Sequence, residues 1–424
     1  MTSGAFFVCP EGGRLPTVDG YTTVEWPTDG TTTDTVVSDL SWTLRPLSRT
    51  TAAVADLLHV AGGAYIADRS TPRGIRFSRS LALKVVVLAP DLWTEQLVET
   101  VAGLLGWLTG DDWDLSVVPA EDRDIPETTA IDESPEPVSL LSGGLDSFLG
   151  AIHLLQGDQR PQFIGHKDTA PSIRHAQSNA GAWLARAYDP APSYSRFALS
   201  QAASRREPSS RSRSFMFLSL GAAAAVSSGS TVLIVPENGY TGINLPLRPN
   251  RGGALSTRST HPETFHRVER IFAALGIEVT VTNPFEWMTK GEAMVMVAAD
   301  SPPAGWHSAA ALTLSCSKLD GNWFEASPNY NCGLCVPCLV RRAAFLRAGV
   351  PDESIYVCEA VTGEPLAKLI DGRRGDIEAV KYAIAGGVDA DGIDAGTWPP
   401  GYDLDQAEGL VQRGLDELAL LKLP

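Results

Sequence analysis

The segment at residues 137–151, PVSLLSGGLDSFLGA, constrains the fold more than any other part of the chain. An apolar run ends in Ser142, Gly143 and Gly144, and apolar residues then return at helical spacing. Glycine adopts backbone conformations that other residues avoid and lets a ligand approach the main chain closely. The pattern predicts a strand, a tight turn and a helix, an arrangement that can bind phosphate through backbone N–H groups and the helix N-terminus. A purely structural turn is the alternative.

Short apolar stretches alternate with helical patterns after this turn. We predict strands at 137–141, 161–166, 195–200, 231–236 and 277–282, and helices at 145–156, 172–188, 213–227, 262–275 and 289–299. This alternation indicates an α/β fold with a parallel, five-stranded, doubly wound sheet that is covered by helices on both faces. Ligands bind such sheets at the carboxyl ends of the strands, which is where the glycine turn leaves the first strand.

The composition of the chain indicates how it is divided into domains. Residues 120–136 are acidic, contain proline and have few large apolar residues, which is typical of a linker. The preceding region, 1–119, has Thr-rich segments and two helical patterns, which predict a small α+β accessory domain. We predict that the sheet domain extends over 137–348, including a cysteine-rich segment, and that 349–424 form a helical tail.

The formal net charge of −16 argues against general nucleic-acid binding, which requires a basic surface that displaces counterions. The N-terminus lacks the pattern of a signal peptide, and no apolar run approaches the ~20 residues that cross a bilayer. We therefore expect a cytoplasmic protein with no membrane contact and with reduced cysteines. One local basic segment, 201–213, is either a mobile lid over phosphates or a solvated loop.

The side chains of the glycine turn suit a phosphate ligand. The turn has no Gly-Lys-Ser/Thr and is therefore not a Walker P-loop. The hydroxyls of Ser142 and Ser147 can donate hydrogen bonds to phosphate oxygens. Asp146 would be repelled by phosphate unless it caps the following helix or contacts Mg²⁺, and we expect one or both of these roles.

Four of the six cysteines form a cluster in the sequence. They are Cys316, Cys332, Cys335 and Cys338. Four thiolates in a reducing compartment suit a closed tetrahedral Zn²⁺ site, which would be structural because no coordination position is left for water. The alternatives are an iron–sulfur cluster, which also uses four cysteines, and a redox-active or persulfide-carrying pair.

The turn and the cysteines together resemble a known family. Residues 142–147 match the S-G-G-x-D-S pattern of the PP-loop ATP pyrophosphatases, which have the adenine nucleotide α-hydrolase fold, at every position. Three features follow one another along the chain: this turn, a distant Ser-Cys, and C-G-x-C-x-x-C followed by Leu and Arg. In this order they resemble the sequence pattern of the QueC family, the 7-cyano-7-deazaguanine synthases. RSFMFLSL at 213–220, with Ser214 in place of the family's Asn, and NPFEWMTKGEA at 283–293 resemble two further segments of that family. The resemblance covers about 137–348.

The resemblance implies an ATP-dependent ligase that uses ATP, Mg²⁺ and Zn²⁺. Such an enzyme adenylates a carboxylate of the 7-carboxy-7-deazaguanine type, releases pyrophosphate and passes the acyl group to an amine. The implied ATP-binding residues are Leu141, Ser142, Gly143, Gly144, Leu145, Asp146 and Ser147. The implied catalytic residues are Lys290, Arg213 and Asp146, and the implied zinc ligands are the four clustered cysteines. Members of the family are often dimers, so the resemblance allows a homodimer.

Two segments depart from the family pattern. Residues 163–175, FIGHKDTAPSIRH, lack the family's Tyr-Gly-Gln, and residues 237–262 are longer than the family requires. These departures concern the second substrate, for which Glu237, Arg258 and His261 are the candidate binding residues. Ordinary surface or packing roles are the alternative for Arg258 and His261.

The added N-terminal region and the long chain resemble the QueC-like proteins of bacterial anti-phage defence gene clusters, the QatC group. This likeness implies a role in antiviral defence and a protein partner from the same gene cluster. Two other hypotheses remain open from the sequence. One is a PP-loop enzyme that modifies tRNA by sulfur or amide transfer, and the other is a nucleotide-binding scaffold of a defence complex.

Overall fold

The computed structural model describes residues 2–10, 18–27, 32–40, 47–74, 78–121, 136–157, 159–202, 207–249 and 258–424. Most of the predicted linker at 120–136 lies outside these residues, as does the centre of the basic segment 201–213. The lid hypothesis for that segment therefore stays a prediction.

Eleven strands and fourteen α-helices are present in the described part of the chain. The strands are β1 (Thr2–Pro10), β2 (Thr22–Trp26), β3 (Val36–Ser38), β4 (Arg79–Val87), β5 (Asp112–Pro119), β6 (Val138–Leu140), β7 (Gln162–His166), β8 (Tyr194–Phe197), β9 (Leu199–Gln201), β10 (Val232–Ile234) and β11 (Thr280–Thr282). The helices are α1 (Ala52–Ser70), α2 (Glu95–Thr109), α3 (Leu145–Gln156), α4 (Pro171–Ala187), α5 (Arg213–Ser228), α6 (Gly239–Ile243), α7 (Pro262–Ala274), α8 (Lys290–Ala299), α9 (Trp306–Ala311), α10 (Val336–Ala348), α11 (Val357–Ala360), α12 (Gly363–Gly386), α13 (Ala390–Asp394) and α14 (Leu404–Leu418).

The central sheet has five parallel strands in the order β11-β10-β6-β7-β8. The α/β fold with a parallel sheet is confirmed, and the five predicted helices are present as α3, α4, α5, α7 and α8. The third predicted strand is divided, because the chain leaves β8 after Phe197 and pairs as β9 with β3 in the antiparallel direction. The strand order reverses next to β6, since the chain first adds β7 and β8 on one side and then β10 and β11 on the other.

The first 119 residues contain a second parallel sheet, in the order β2-β1-β4-β5. The predicted α+β class is therefore wrong for this region. Phe6 of β1 pairs with Leu83 of β4, and Leu83 pairs in turn with Leu115 of β5, both in parallel register. The connections explain the difference. Helix α1 precedes β4 and α2 joins β4 to β5, and such crossovers return the chain in the same direction.

One hydrophobic core continues from the N-terminal sheet into the central sheet. Helix α1 packs against α5. Trp26, Leu57 and Phe215 belong to the same cluster of buried residues. The predicted domain boundaries stay predictions, but the first 119 residues share their core with the sheet that carries the glycine turn.

A buried ion network attaches the first turn of α5 to the N-terminal region. The guanidinium of Arg79 lies 2.5 Å from Asp68 and 2.6 Å from Asp111, and all three side chains are fully buried. The second carboxylate oxygen of Asp68 accepts hydrogen bonds from the backbone N–H groups of Arg211 at 2.8 Å and Ser212 at 3.1 Å. Because these two residues directly precede α5, Asp68 holds the start of that helix.

Residues 357–418 contain the helices α11 to α14, and the predicted tail domain at 349–424 stays a prediction. Helix α14 packs against α10, α12, α13 and α6 and thereby connects the C-terminal region to the centre of the molecule. In the described part of the chain, no helix combines the length and the apolar character that a membrane span requires.

Replacing Asp68 with Asn should lower the free energy of unfolding by about 3–5 kcal/mol, because the buried charge of Arg79 would lose one of its two partners. Urea denaturation measures this change. Asp112→Asn is the matched control, since it removes the same charge at an exposed position. It should change the free energy of unfolding by less than about 0.5 kcal/mol. Equal effects of the two substitutions would contradict a stabilising role of the network.

Candidate functional site

The glycine turn lies where the strand order of the central sheet reverses. It leaves the carboxyl end of β6, whose neighbours β7 and β10 belong to the two halves of the sheet. Open α/β sheets bind ligands in the crevice at such a reversal point. The topology therefore places residues 141–147 at the position where folds of this class bind ligands.

The hydroxyl of Ser147 holds the shape of the turn. The Oγ atom of Ser147 accepts a hydrogen bond from the Ser142 N–H at 3.2 Å and donates one to the Gly144 carbonyl at 3.1 Å. Gly143 has a φ of 86°, and a Cβ atom there would lie only 2.9 Å from the side chain of Gln177. Gly144 is the N-cap of α3, and within the described residues no side chain caps this helix. Its first N–H groups therefore suit an anionic ligand.

Asp146 forms a buried ion pair instead of capping the helix. Its Oδ2 atom lies 2.5 Å from Lys290 Nζ and accepts a hydrogen bond from Asn238 Nδ2 at 2.9 Å. The other oxygen, Oδ1, is buried and has no hydrogen-bond partner among the described residues. A buried carboxylate oxygen is costly unless a donor or a cation binds it. Asp146 therefore fits the expected Mg²⁺ contact, whereas its predicted role as a helix cap is wrong.

Glu237 lies in the loop after β10 and interacts electrostatically with the same pair. Burial and the charge of Asp146 raise the pKa of Glu237 to about 8, although Lys290 lowers it in part. The backbone of Glu237 is held by Asn283, which accepts its N–H at 3.1 Å and donates to its carbonyl at 2.7 Å. A second carboxyl at this position could bind the same divalent cation once it loses its proton.

Arg213 is the first residue of α5 and forms an ion pair with Asp168 at 2.8 Å. Burial alone would raise the pKa of Asp168, but the charge of Arg213 and the N–H of Ala170 outweigh it and hold that pKa below its usual range. We did not predict Asp168 as a site residue. It follows β7, so the rule that ligands bind at strand carboxyl ends could have identified it.

Two clefts adjoin the turn. The first has a volume of about 190 Å³ and is lined by Ser147, Glu237 and a largely apolar wall. The second has a volume of about 220 Å³ and is lined by polar groups such as Asp168 together with apolar side chains such as Phe217 and Leu314. Ser142 and Arg213 line both clefts, so the turn separates them. Larger cavities of about 400 and 560 Å³ lie beside the C-terminal helices, and the turn lines neither of them.

Arg258 and His261 lie at the start of α7, beside Trp107. His261 is the N-cap of α7, and its ring lies 5.3 Å from that of Trp107 and 5.0 Å from that of Trp398. The guanidinium of Arg258 lies 4.0 Å from the centre of the Trp107 ring. Both side chains thus make packing contacts, and their predicted contact with substrate stays a prediction.

The four clustered cysteines come together as a buried group. Their sulfur atoms all lie within 4.8 Å of one another. Cys316 and Cys335 are 4.0 Å apart, and Cys332 and Cys338 are 3.8 Å apart. Four sulfurs at ~2.3 Å from a tetrahedral zinc ion would be separated by ~3.8 Å. The cluster could therefore hold one metal ion, and its geometry is compatible with zinc.

The predicted site residues fall into three groups. Residues 141–144, Ser147, Glu237 and Arg213 line the two clefts, with the buried Asp146–Lys290 pair at the same turn, while Arg258 and His261 pack at the start of α7. The cysteines are a separate cluster, although Cys316 also lines the second cleft. Comparison with protein-family models and with curated proteins gives no match to this chain. The function is therefore argued from the geometry of the site.

The cysteine cluster predicts one bound metal ion per chain. We expect elemental analysis of the purified protein to find zinc, and Cys338→Ser to lose the ion and to unfold at a lower temperature, because a structural zinc site adds on the order of 10 kcal/mol of binding free energy to folding. Cys358→Ser is the control, since Cys358 lies outside the group of four and should not be needed for metal binding. Retention of the ion by Cys338→Ser would contradict the proposed ligand set.

The burial of His261 predicts a loss of stability in acid. Burial, with the charges of Arg258 and Arg267, lowers the pKa of His261 from 6.5 to about 4. Between these two pH values the unfolded chain binds a proton at His261 and the folded protein does not, so stability falls as the pH falls.

The substitution His261→Asn removes the imidazole that binds this proton in the unfolded chain, and it keeps a side chain that can cap α7. Between pH 7 and pH 4.5 the variant should lose less free energy of unfolding than the wild type, by up to about 2 kcal/mol. His59 and His166, whose pKa values are also lowered to about 4, are common to both proteins and cancel in the comparison. Denaturation series at the two pH values measure the difference, and identical losses would contradict a neutral, buried His261.

Proposed function

We propose that this chain is an ATP-dependent enzyme of the QueC type, which adenylates a carboxylate, releases pyrophosphate and transfers the acyl group to an amine. One observation carries the proposal. A glycine turn at the reversal point of a parallel sheet leads into a helix whose N-terminus no side chain of the described residues caps. A buried lysine–aspartate pair lies beside this turn. Phosphate binding explains the turn, and charge stabilisation explains the buried lysine.

ATP would bind across the turn. The backbone N–H groups at the start of α3 and the hydroxyls of Ser142 and Ser147 would donate hydrogen bonds to its phosphates. The adenine ring would occupy the first cleft, whose apolar wall includes Ile164, Val235 and Phe265. A nucleobase has largely apolar faces, so this cleft suits it better than the second cleft, whose lining is less apolar.

Adenylation would begin when a carboxylate oxygen of the substrate attacks the α-phosphorus of ATP. A new P–O bond forms, the bond from the α-phosphorus to the bridging oxygen breaks, and its electron pair leaves with pyrophosphate. Lys290 and Arg213 would stabilise the negative charge that develops on the phosphates. Bound Mg²⁺, held by Asp146 and Glu237, would neutralise further phosphate charge.

The second half-reaction would consume the acyl-adenylate. The amine attacks the acyl carbon, the bond to the AMP oxygen breaks, and the amine nitrogen loses a proton to solvent. The acyl substrate would bind in the second cleft, which is lined by part of the segment 163–175 that departs from the family pattern. The acceptor oxygens of Asp168 and Gln177 suit the N–H groups of a deazaguanine-type ring.

The resemblance alone supports the biological setting of the proposal. A role in anti-phage defence, a protein partner from the same gene cluster and a homodimer all belong to it, and we also propose a cytoplasmic location, as expected from the sequence. The tRNA sulfur transferase is the weaker candidate, because such an enzyme needs a reactive cysteine that is not bound to metal, and the four clustered cysteines lie together as one group that could hold a metal ion.

The proposal is tested with 7-carboxy-7-deazaguanine, ammonia and Mg²⁺. The wild type should form AMP and pyrophosphate, and Lys290→Ala should lower the rate by about 10²–10³-fold, because a buried cation no longer faces the leaving phosphates. Chromatography of the nucleotides and a coupled pyrophosphate assay measure the products. Lys368→Ala, at an exposed lysine, is the control and should match the wild type. Formation of ADP and phosphate would contradict adenylation.

A further inference from the structure

The C-terminal region contacts both chain neighbours of Lys290. Glu417, in α14, accepts a hydrogen bond from the Thr289 hydroxyl and another from the Gly291 N–H at 3.2 Å. Glu417 is only 4% exposed. One buried carboxylate from the end of the chain thus binds the residue before Lys290 and the residue after it.

A second residue of α14 holds the same segment. Arg413 lies one helical turn before Glu417, and its Nε atom lies 2.7 Å from Glu292 Oε1. The Nη2 atom of Arg413 donates a hydrogen bond to the Trp287 carbonyl at 2.9 Å. Glu292 also completes a capping box with Thr289 at the start of α8. Residues 287–292 are therefore bound to one face of α14.

The packing at this contact leaves no room for a side chain at Gly291. A Cβ atom there would overlap the carboxylate of Glu417. The negative carboxylate also lies at the N-terminus of α8, where the helix dipole favours it. The start of α8, from which the Lys290 side chain extends to Asp146, is consequently fixed from outside the central sheet.

We propose that Glu417 is a positioning residue for Lys290, and that the C-terminal region is in this way part of the catalytic centre. The proposal rests on the proposed function for the role of Lys290. Glu417 does not face the two clefts beside the turn. It acts through Thr289 and Gly291, which set where the lysine ammonium lies. A displacement of about 1 Å at a catalytic group can cost on the order of 10²-fold in rate.

The kinetic test compares E417A, E417Q and D416A in the reaction with 7-carboxy-7-deazaguanine. E417A should lower kcat by about 10- to 100-fold with little change in the KM for ATP, because the phosphate-binding turn is untouched. E417Q retains one of the two acceptor oxygens and should fall between E417A and the wild type. D416A removes an exposed carboxylate from the same helix and should match the wild type. A loss of activity in E417A that comes from a higher KM alone, with kcat unchanged, would overturn the proposal.

A second readout does not require activity. Lys290 is buried in its pair with Asp146, with 7% of its side chain exposed, so amine-directed labelling followed by mass spectrometry should modify it slowly. E417A should speed labelling of Lys290 at least about threefold over D416A, because the start of α8 opens locally. Thermal melting verifies that each variant is folded, and E417Q replaces E417A if the latter does not fold.

The two readouts separate the two claims. Faster labelling of Lys290 in a protein that forms no AMP would refute the proposed function and support the positioning role. Unchanged labelling and unchanged kcat in a folded Glu417 variant of an active enzyme would overturn the positioning role and leave the proposed function intact.

Discussion

Two buried carboxylates, Asp68 and Glu417, hold the starts of the helices that carry the two candidate catalytic cations. Asp68 binds the N–H groups that precede Arg213, and Glu417 binds the residues on either side of Lys290. These bonds restrain the backbone from which each cationic side chain extends. The two terminal regions contain no catalytic constellation that we predicted from the sequence, yet both hold the site in place.

The centre of the site contains two acidic side chains, Asp146 and Glu237, that a bound cation would satisfy. Asp146 already binds Lys290 and Asn238 through one oxygen, while its other oxygen is buried without a partner among the described residues. Glu237 has a raised pKa because it is buried close to that carboxylate. A divalent cation that accompanies a polyphosphate would satisfy both groups. The protein would thus hold preorganised charge before the substrate arrives, which is where enzymes gain much of their electrostatic stabilisation.

The parts of the molecule that depend on local sequence were predictable. The turn at 142–147, the five helices of the central sheet and the group of four cysteines follow from glycine pairs, apolar periodicity and cysteine spacing. The parallel sheet of the N-terminal region was not predictable, because the sequences of its short Thr-rich strands do not show in which direction the strands pair. Glu417 was not predictable because it acts on partners that lie far away in the sequence, whereas the position of Asp168 after β7 was a usable signal. A single acid on a helix such as α14 has the same local pattern as a solvated surface residue.

The most direct test is the structure of this protein crystallised with Mg²⁺ and α,β-methylene-ATP, an analogue that cannot be cleaved between its α- and β-phosphates. We expect the phosphates to lie within hydrogen-bonding distance of the backbone N–H groups at the start of α3, and Mg²⁺ to contact the Oδ1 atom of Asp146. We also expect the adenine ring in the first cleft. Phosphates bound anywhere else, with the turn unoccupied, would contradict the central claim that residues 142–147 form the ATP-binding site.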